Sequence, residues 1–125
     1  MNPQGAKVLI VATTGPEAPQ RFPAPFLFAQ AAAQLGSDVS INFVLQAPLL
    51  LKHGVAQRLY AKEGGRSARE FIDDTLAAGV KFFVCDAALP LCDMTPDDLI
   101  EEVDNLVGPA FLITRGLESD LVLNF

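Results

Sequence analysis

Short apolar runs recur along this chain, each too brief for a long helix and each ended abruptly by polar or glycine residues. Lys7-Val-Leu-Ile-Val-Ala-Thr13 is the first, and Val39 to Leu45, Val80 to Val84, Asp104 to Val107 and Leu121 to Phe125 follow. Such runs read as strands buried on both faces. Helix signals lie between them. Pro25 suits the first turn of a helix running from Phe26 to Leu35, which is rich in Ala, Gln and Leu and stopped by Gly36. Ser67 with Glu70 has the capping-box spacing, and the helix it opens reaches about Ala78 before Gly79. Asp86 to Cys92 reads as a short helix interrupted by Pro90. Thr95-Pro96-Asp97-Asp98 reads as another helix start, with a cap, a first-turn proline and acids at the positive end of the dipole. Pro109 to Leu117 is the last helix, and Pro48 to Lys52 and Val55 to Lys62 give shorter helical pieces. The alternation predicts an α/β three-layer sandwich around a mostly parallel five-stranded sheet. With no repeat and no linker, residues 1–125 are expected to form one domain.

Charge narrows the function classes. The chain carries a formal charge of −6 and no basic stripe, so a nucleic-acid partner is not expected. The longest apolar runs are too short to cross a bilayer, and MNPQGAK lacks a signal-peptide pattern. A cytoplasmic location is therefore expected, where thiols stay reduced. Two cysteines and one histidine make a poor structural zinc site, so no metal is expected. Asp97, Asp98, Glu101, Glu102 and Asp104 read as a solvated acidic face, with a steering patch for a basic partner as the sharper reading. Thr13-Thr14-Gly15 lacks the GxxxxGK[ST] pattern of a phosphate loop.

The chemistry concentrates in FFVCDAALPLCDM, Phe82 to Met94, which holds both cysteines. Cys85 closes the third strand, and sites in parallel sheets gather beyond the carboxyl ends of strands. Its competing reading is a buried, inert thiol. If the segment from Cys85 to Cys92 is helical, the two sulfurs share a face on the order of 10 Å apart, too far for a bond. Cys92 is then a resolving thiol, a second carrier or packing. A helix N-terminus after Cys85 would supply amide N–H groups to a thiolate, whereas adjacent Asp86 opposes a second negative charge. Lys52, Lys81 and Arg115 are possible cations, with Arg21 and His53 the first to examine. Phe22, Phe26, Phe28 and Leu49 to Leu51 add more apolar bulk than one small core is expected to hide, which suggests a subunit interface.

Four segments together resemble the DsrE/DsrF/TusD family of small sulfur-relay proteins. They are GPEAPQRF followed by the Ala-rich helix, GVAQRL, VKFFVCDAAL, and VDNLVGPAFLITRGLESDLVLNF. The resemblance spans nearly the whole chain. It implies that Cys85 accepts sulfane sulfur as a persulfide and hands it to another protein, a carrier rather than a turnover enzyme, with no cofactor. It implies a TusA-like or rhodanese-like donor, an acceptor in sulfur oxidation or a related relay, and a homotrimer or hexamer. The chain departs from the family pattern at Asp93, where many members have glycine, and Cys92 has no counterpart in the simplest members. The alternatives are a non-catalytic assembly or regulatory subunit of the same fold, and a nucleotide- or flavin-binding α/β protein that the fold class alone permits.

Overall fold

The computed structural model describes all 125 residues. Its strands are β1 (Lys7–Ala12), β2 (Asp38–Phe43), β3 (Lys81–Cys85), β4 (Asn105–Val107) and β5 (Leu121–Asn124). Its helices are α1 (Pro23–Gln34), α2 (Ala68–Ala77), α3 (Ala88–Leu91) and α4 (Pro109–Glu118). The five strands form one sheet in the order β4-β3-β2-β1-β5. Every pairing is parallel, so the mostly parallel sheet expected from the sequence is wholly so. Short 3-10 turns at Ala47–Leu51, Ala56–Arg58 and Pro96–Asp98 fill the connections.

Side-chain alternation divides the sheet into two faces. Val8, Ile10 and Ala12 of β1, Val39, Ile41 and Phe43 of β2, and Phe82 and Val84 of β3 join the main core beneath α1 and α2. Leu9 and Val11 face the other way, toward α4, with Ser40, Asn42, Phe83 and Cys85 at the same parity. The centre of the core is aromatic. Phe26 of α1, Phe43 of β2 and Phe82 of β3 are fully buried, with ring centroids 5.1–6.1 Å apart. Phe22 meets Phe71 of α2 edge to face at 6.0 Å. Thr75 on α2 accepts a hydrogen bond from Gln30 of α1 at 2.9 Å, pinning the helices side by side.

The helix punctuation reads as expected at most positions. Ser67 Oγ accepts the Glu70 N–H at 3.2 Å, capping α2. Gly36 and Gly79 follow α1 and α2 with φ of +92° and +88°, a conformation glycine adopts without a Cβ penalty. Thr95 does cap through its N–H, which donates to Asp98 Oδ2 at 2.8 Å. The helix expected to follow is only the turn Pro96–Asp98. The chain is pulled straight beyond it because Ile100 N–H donates to Leu51 O and His53 N–H to Asp98 O.

Two further expectations change, one of them in part. The acidic run is solvated at Asp97, Glu101 and Asp104, as expected, but it also has structural roles: Glu102 pairs with Arg69, Asp98 closes the Thr95 turn, and Asp104 Oδ2 accepts the Phe82 N–H at 2.7 Å. The Arg69 hydrogen bond holds the Glu102 carboxyl below its ordinary range against the opposing effect of burial. The apolar excess at Phe22, Phe26, Leu50 and Leu51 is ordinary core, since all four are fully buried; of that group only Phe28 is largely exposed. The turn Ala47–Leu51 folds those leucines beneath the sheet's carboxyl edge, where they join the aromatic cluster.

Phe82→Ala removes a ring from the middle of that cluster and is expected to lower the unfolding free energy by about 3–5 kcal/mol in urea melts. Phe28→Ala, half exposed beside Phe125, should cost about 1 kcal/mol or less.

Candidate functional site

The carboxyl edge of the sheet gathers the chemistry-bearing residues. Phe82 and Val84 point into the core, so Phe83 and Cys85 point to the α4 face. Cys85 is half-buried, and its thiol is free. It stands level with Val107 of β4, and the next residue's N–H donates to Val107 O at 2.9 Å. Val107 leads straight into Gly108 and Pro109, where α4 begins. Phe83, one pleat deeper, stacks on Phe111 with centroids 5.0 Å apart, and the Arg115 guanidinium lies 5.9 Å from the centre of the same ring.

Cys92 belongs to the other side. It caps the end of α3 and packs against the main core, and its Sγ donates to Leu45 O at 3.1 Å. The shared face expected for the two sulfurs is therefore absent: strand alternation turns Cys85 one way, and the chain reversal through α3 turns Cys92 the other. Burial pushes the Cys92 thiol up from its ordinary range, and the carboxylates of Asp93 and Glu17 push it further. Both backbone segments that hold Cys92 take the left-handed conformation, Leu45 at φ +53° and Asp93 at φ +54°. Asp93 thus occupies a left-handed position that glycine fills without strain.

The supporting groups differ from those anticipated. The helix after Cys85 is a single turn, Ala88–Leu91, so an extended helix dipole behind that thiol is absent. Arg21 lines a cleft with Thr14, Ala24 and Phe125, and His53 acts on Glu102. Arg115 is the cation over Cys85's own sheet face, and Lys81 lies at the far end of the same strand. In the loop after β1, Gly15 N–H donates to the Glu17 carboxylate at 2.9 Å, so the amide that a phosphate would need already faces a negative charge. A Cβ at Gly15 would sit 2.2 Å from Gln46 O, which explains glycine there.

Sequence reading missed one polar set. Ser40 and Asn42 of β2 are both buried, as a strand covered on both faces requires. Ser40 Oγ, both Asn42 amide atoms and Arg115 Nε have no hydrogen-bond partner. No group of three or more His, Cys, Asp or Glu side chains is placed to hold a metal ion.

These features define a doubly covered parallel α/β protein with a free thiol at the carboxyl edge of a strand inside the sheet. The chain belongs to the DsrE/DsrF-like family, whose model matches residues 6–125. Its fold is similar to that of the ychN protein from E. coli, with a TM-score of 0.79 and 19% identity over 96% of this chain and 99% of that one. It is also similar to MTH1491 from Methanobacterium thermoautotrophicum, described as a protein of unknown function, with a TM-score of 0.65 and 15% identity over 98% of this chain and 100% of that one. No curated protein matches the chain. The family is generally linked to sulfur relay. No helix is long and apolar enough to cross a membrane.

Two outcomes follow from the edge geometry. Gly15→Ala is expected to destabilise by about 1–3 kcal/mol, read by thermal or urea unfolding, because backbone must move to admit the methyl. In a Cys85→Ser background, Cys92 alkylation should titrate above the ordinary thiol range, and Asp93→Gly should bring the midpoint down. The raised thiol also sets a sign for stability. The unfolded chain loses this proton first, so the associated stability is present at neutral pH and lost as pH climbs past the ordinary thiol range.

Proposed function

We propose that this protein is a sulfur carrier whose Cys85 holds sulfane sulfur as a persulfide between two partner proteins. The observation that carries the reading is a free, half-buried thiol at the carboxyl edge of β3 in a DsrE-like chain. Residues 1–125 act as one unit in this reading, in the cytoplasm, where the thiol stays reduced.

The Cys85 thiolate attacks the outer sulfur of a donor persulfide, R–S–SH. The donor's S–S bond breaks, its electron pair leaves with R–S⁻, and the proton stays on the transferred sulfur in Cys85–S–SH. An acceptor thiolate then attacks that same outer sulfur and releases the Cys85 thiolate. Each step exchanges one S–S bond for another, so no external oxidant or reductant is needed. Only the thiolate is nucleophilic, which makes protonated Cys92 the poorer acceptor and leaves it a secondary role at most. A TusA-like or rhodanese-like protein is the donor class, and the acceptor belongs to sulfur oxidation or a related relay. The assembly that goes with this reading is a homotrimer or hexamer.

The rival reading, a non-catalytic assembly subunit, draws on the wide apolar surface around β5. Iodoacetamide separates the two, since a carrier thiol must react in the native protein. The direct test is intact-mass spectrometry after incubation with polysulfide. Wild type and Cys92→Ser should each gain one sulfur, removed by dithiothreitol, and Cys85→Ser should gain none. A gain of equal size in Cys85→Ser refutes the assignment.

A further inference from the structure

The connection from β2 to α2, residues 44–67, crosses the carboxyl edge of the sheet and is charged unlike the rest of the chain. Between Val39 and Arg69 stand five basic side chains, Lys52, Arg58, Lys62, Arg66 and Arg69, and one acid, Glu63. That stretch is +4, so the remainder of a chain at −6 overall carries −10. Arg66 is engaged with Glu70 and Asp74, and Arg69 with Asp73 and Glu102. Lys52 is bridged to Leu99, beside the acidic run. Arg58 and Lys62 are exposed and form no ion pair, and neither does exposed Arg21, which the connection from β1 to α1 brings to the same edge. Two open clefts meet at Tyr60, which is 47% exposed. One, of about 440 Å³, is lined by Pro19, Arg21 and Ala61 among others. The other, of about 730 Å³, is lined by Arg58, Glu63, Gly64 and Gly65 among others. In the turn after Tyr60 the Gly65 N–H donates to Lys62 O at 2.9 Å, and the Glu63 and Gly64 amides have no partner in the chain.

We infer that this patch is a docking site for an acidic, extended segment of a partner protein, seated across Tyr60 with carboxylates toward Arg21 on one side and toward Arg58 and Lys62 on the other. Three observations commit the surface to that occupant. The chain has fifteen acidic side chains, yet none pairs with Arg21, Arg58 or Lys62, so these charges are left for something outside it. An acidic partner is repelled by the rest of the surface and attracted here, so the same charges that bind it also orient it. An exposed tyrosine between the two clefts offers a rigid apolar contact with a polar tip, the kind of side chain enriched at the centre of protein interfaces. Three cations on a chain of −6 are too few for a nucleic-acid backbone, whose binders neutralise several phosphates at once. The inference stands apart from the persulfide reading, because neither cysteine takes part.

Fluorescence anisotropy with a labelled peptide of glutamates around a central leucine tests it. Binding is expected at low salt and should weaken as salt rises. Tyr60→Ala should weaken it, and Arg58→Glu should weaken it on the order of tenfold. Lys81→Glu makes the same change in net charge at the amino edge, where β3 begins, and should leave the affinity within about twofold. Cross-linking on the wild-type chain supplies a readout independent of any variant: carbodiimide joins a peptide carboxylate to a lysine amine, and the bond should form at Lys62 rather than at Lys7 or Lys81. No binding, an equal loss in Lys81→Glu, cross-links at Lys7 or Lys81 without Lys62, or tighter binding of an oligonucleotide of equal charge overturns the site. Persulfide loading of Cys85 by polysulfide should be unchanged in Arg58→Glu, so failure here and failure of the carrier reading are separate outcomes.

Discussion

The packing of Phe26, Phe43 and Phe82 is the constraint on which the rest depends. Three rings from a helix and two neighbouring strands close the core beneath α1 and α2. Once Phe82 is committed to that face, pleating leaves no choice for the residues around it. Val84 follows it inward, and Phe83 and Cys85 must point to the α4 side. A slip of one residue would drive the thiol into the aromatic cluster and turn Phe82 toward α4. The cost of moving a buried ring is thus what fixes the orientation of a thiol three residues away.

Much of the fold was legible because it is written in local signals. Five apolar runs correspond to five strands to within one or two residues, and Ser67, Gly36, Gly79 and Pro109 marked helix ends where the structure has them, whereas α1 starts at Pro23, earlier than the helix read from Phe26. Parallel pairing followed from the alternation, since helices between strands return the chain to the same edge. The failures came where distant segments meet. Nothing near Thr95 announces that Leu51 and His53 will pair with the chain just beyond it and stop a helix after one turn. Nothing near Asp104 announces that its carboxylate will take the Phe82 amide.

The candidate site was legible in part for the same reason. That a cysteine closes β3 is a property of the local sequence, and so is its place at the carboxyl edge. The surroundings are not local. Cys92 looked like a helical companion of Cys85, but a one-turn helix and a left-handed Asp93 carry it to the opposite side. Arg115 was one of five possible cations, and only the return path of α4 over β3 sets it above Phe83. Ser40 and Asn42 lie in a run read as buried on both faces, yet nothing local announces that their buried polar atoms will lack partners.

The bond from the Asp86 amide to Val107 ties Cys85 into the ladder at its last rung. A sulfur fixed this way rides on no lipoyl-like swinging arm: its travel is limited to rotation about one side-chain torsion. In the proposed carrier role, a delivering protein and a receiving one would have to approach the same small surface, and two macromolecules cannot occupy it together. Exchange in that role would be sequential, with departure of the first visitor a precondition for arrival of the second.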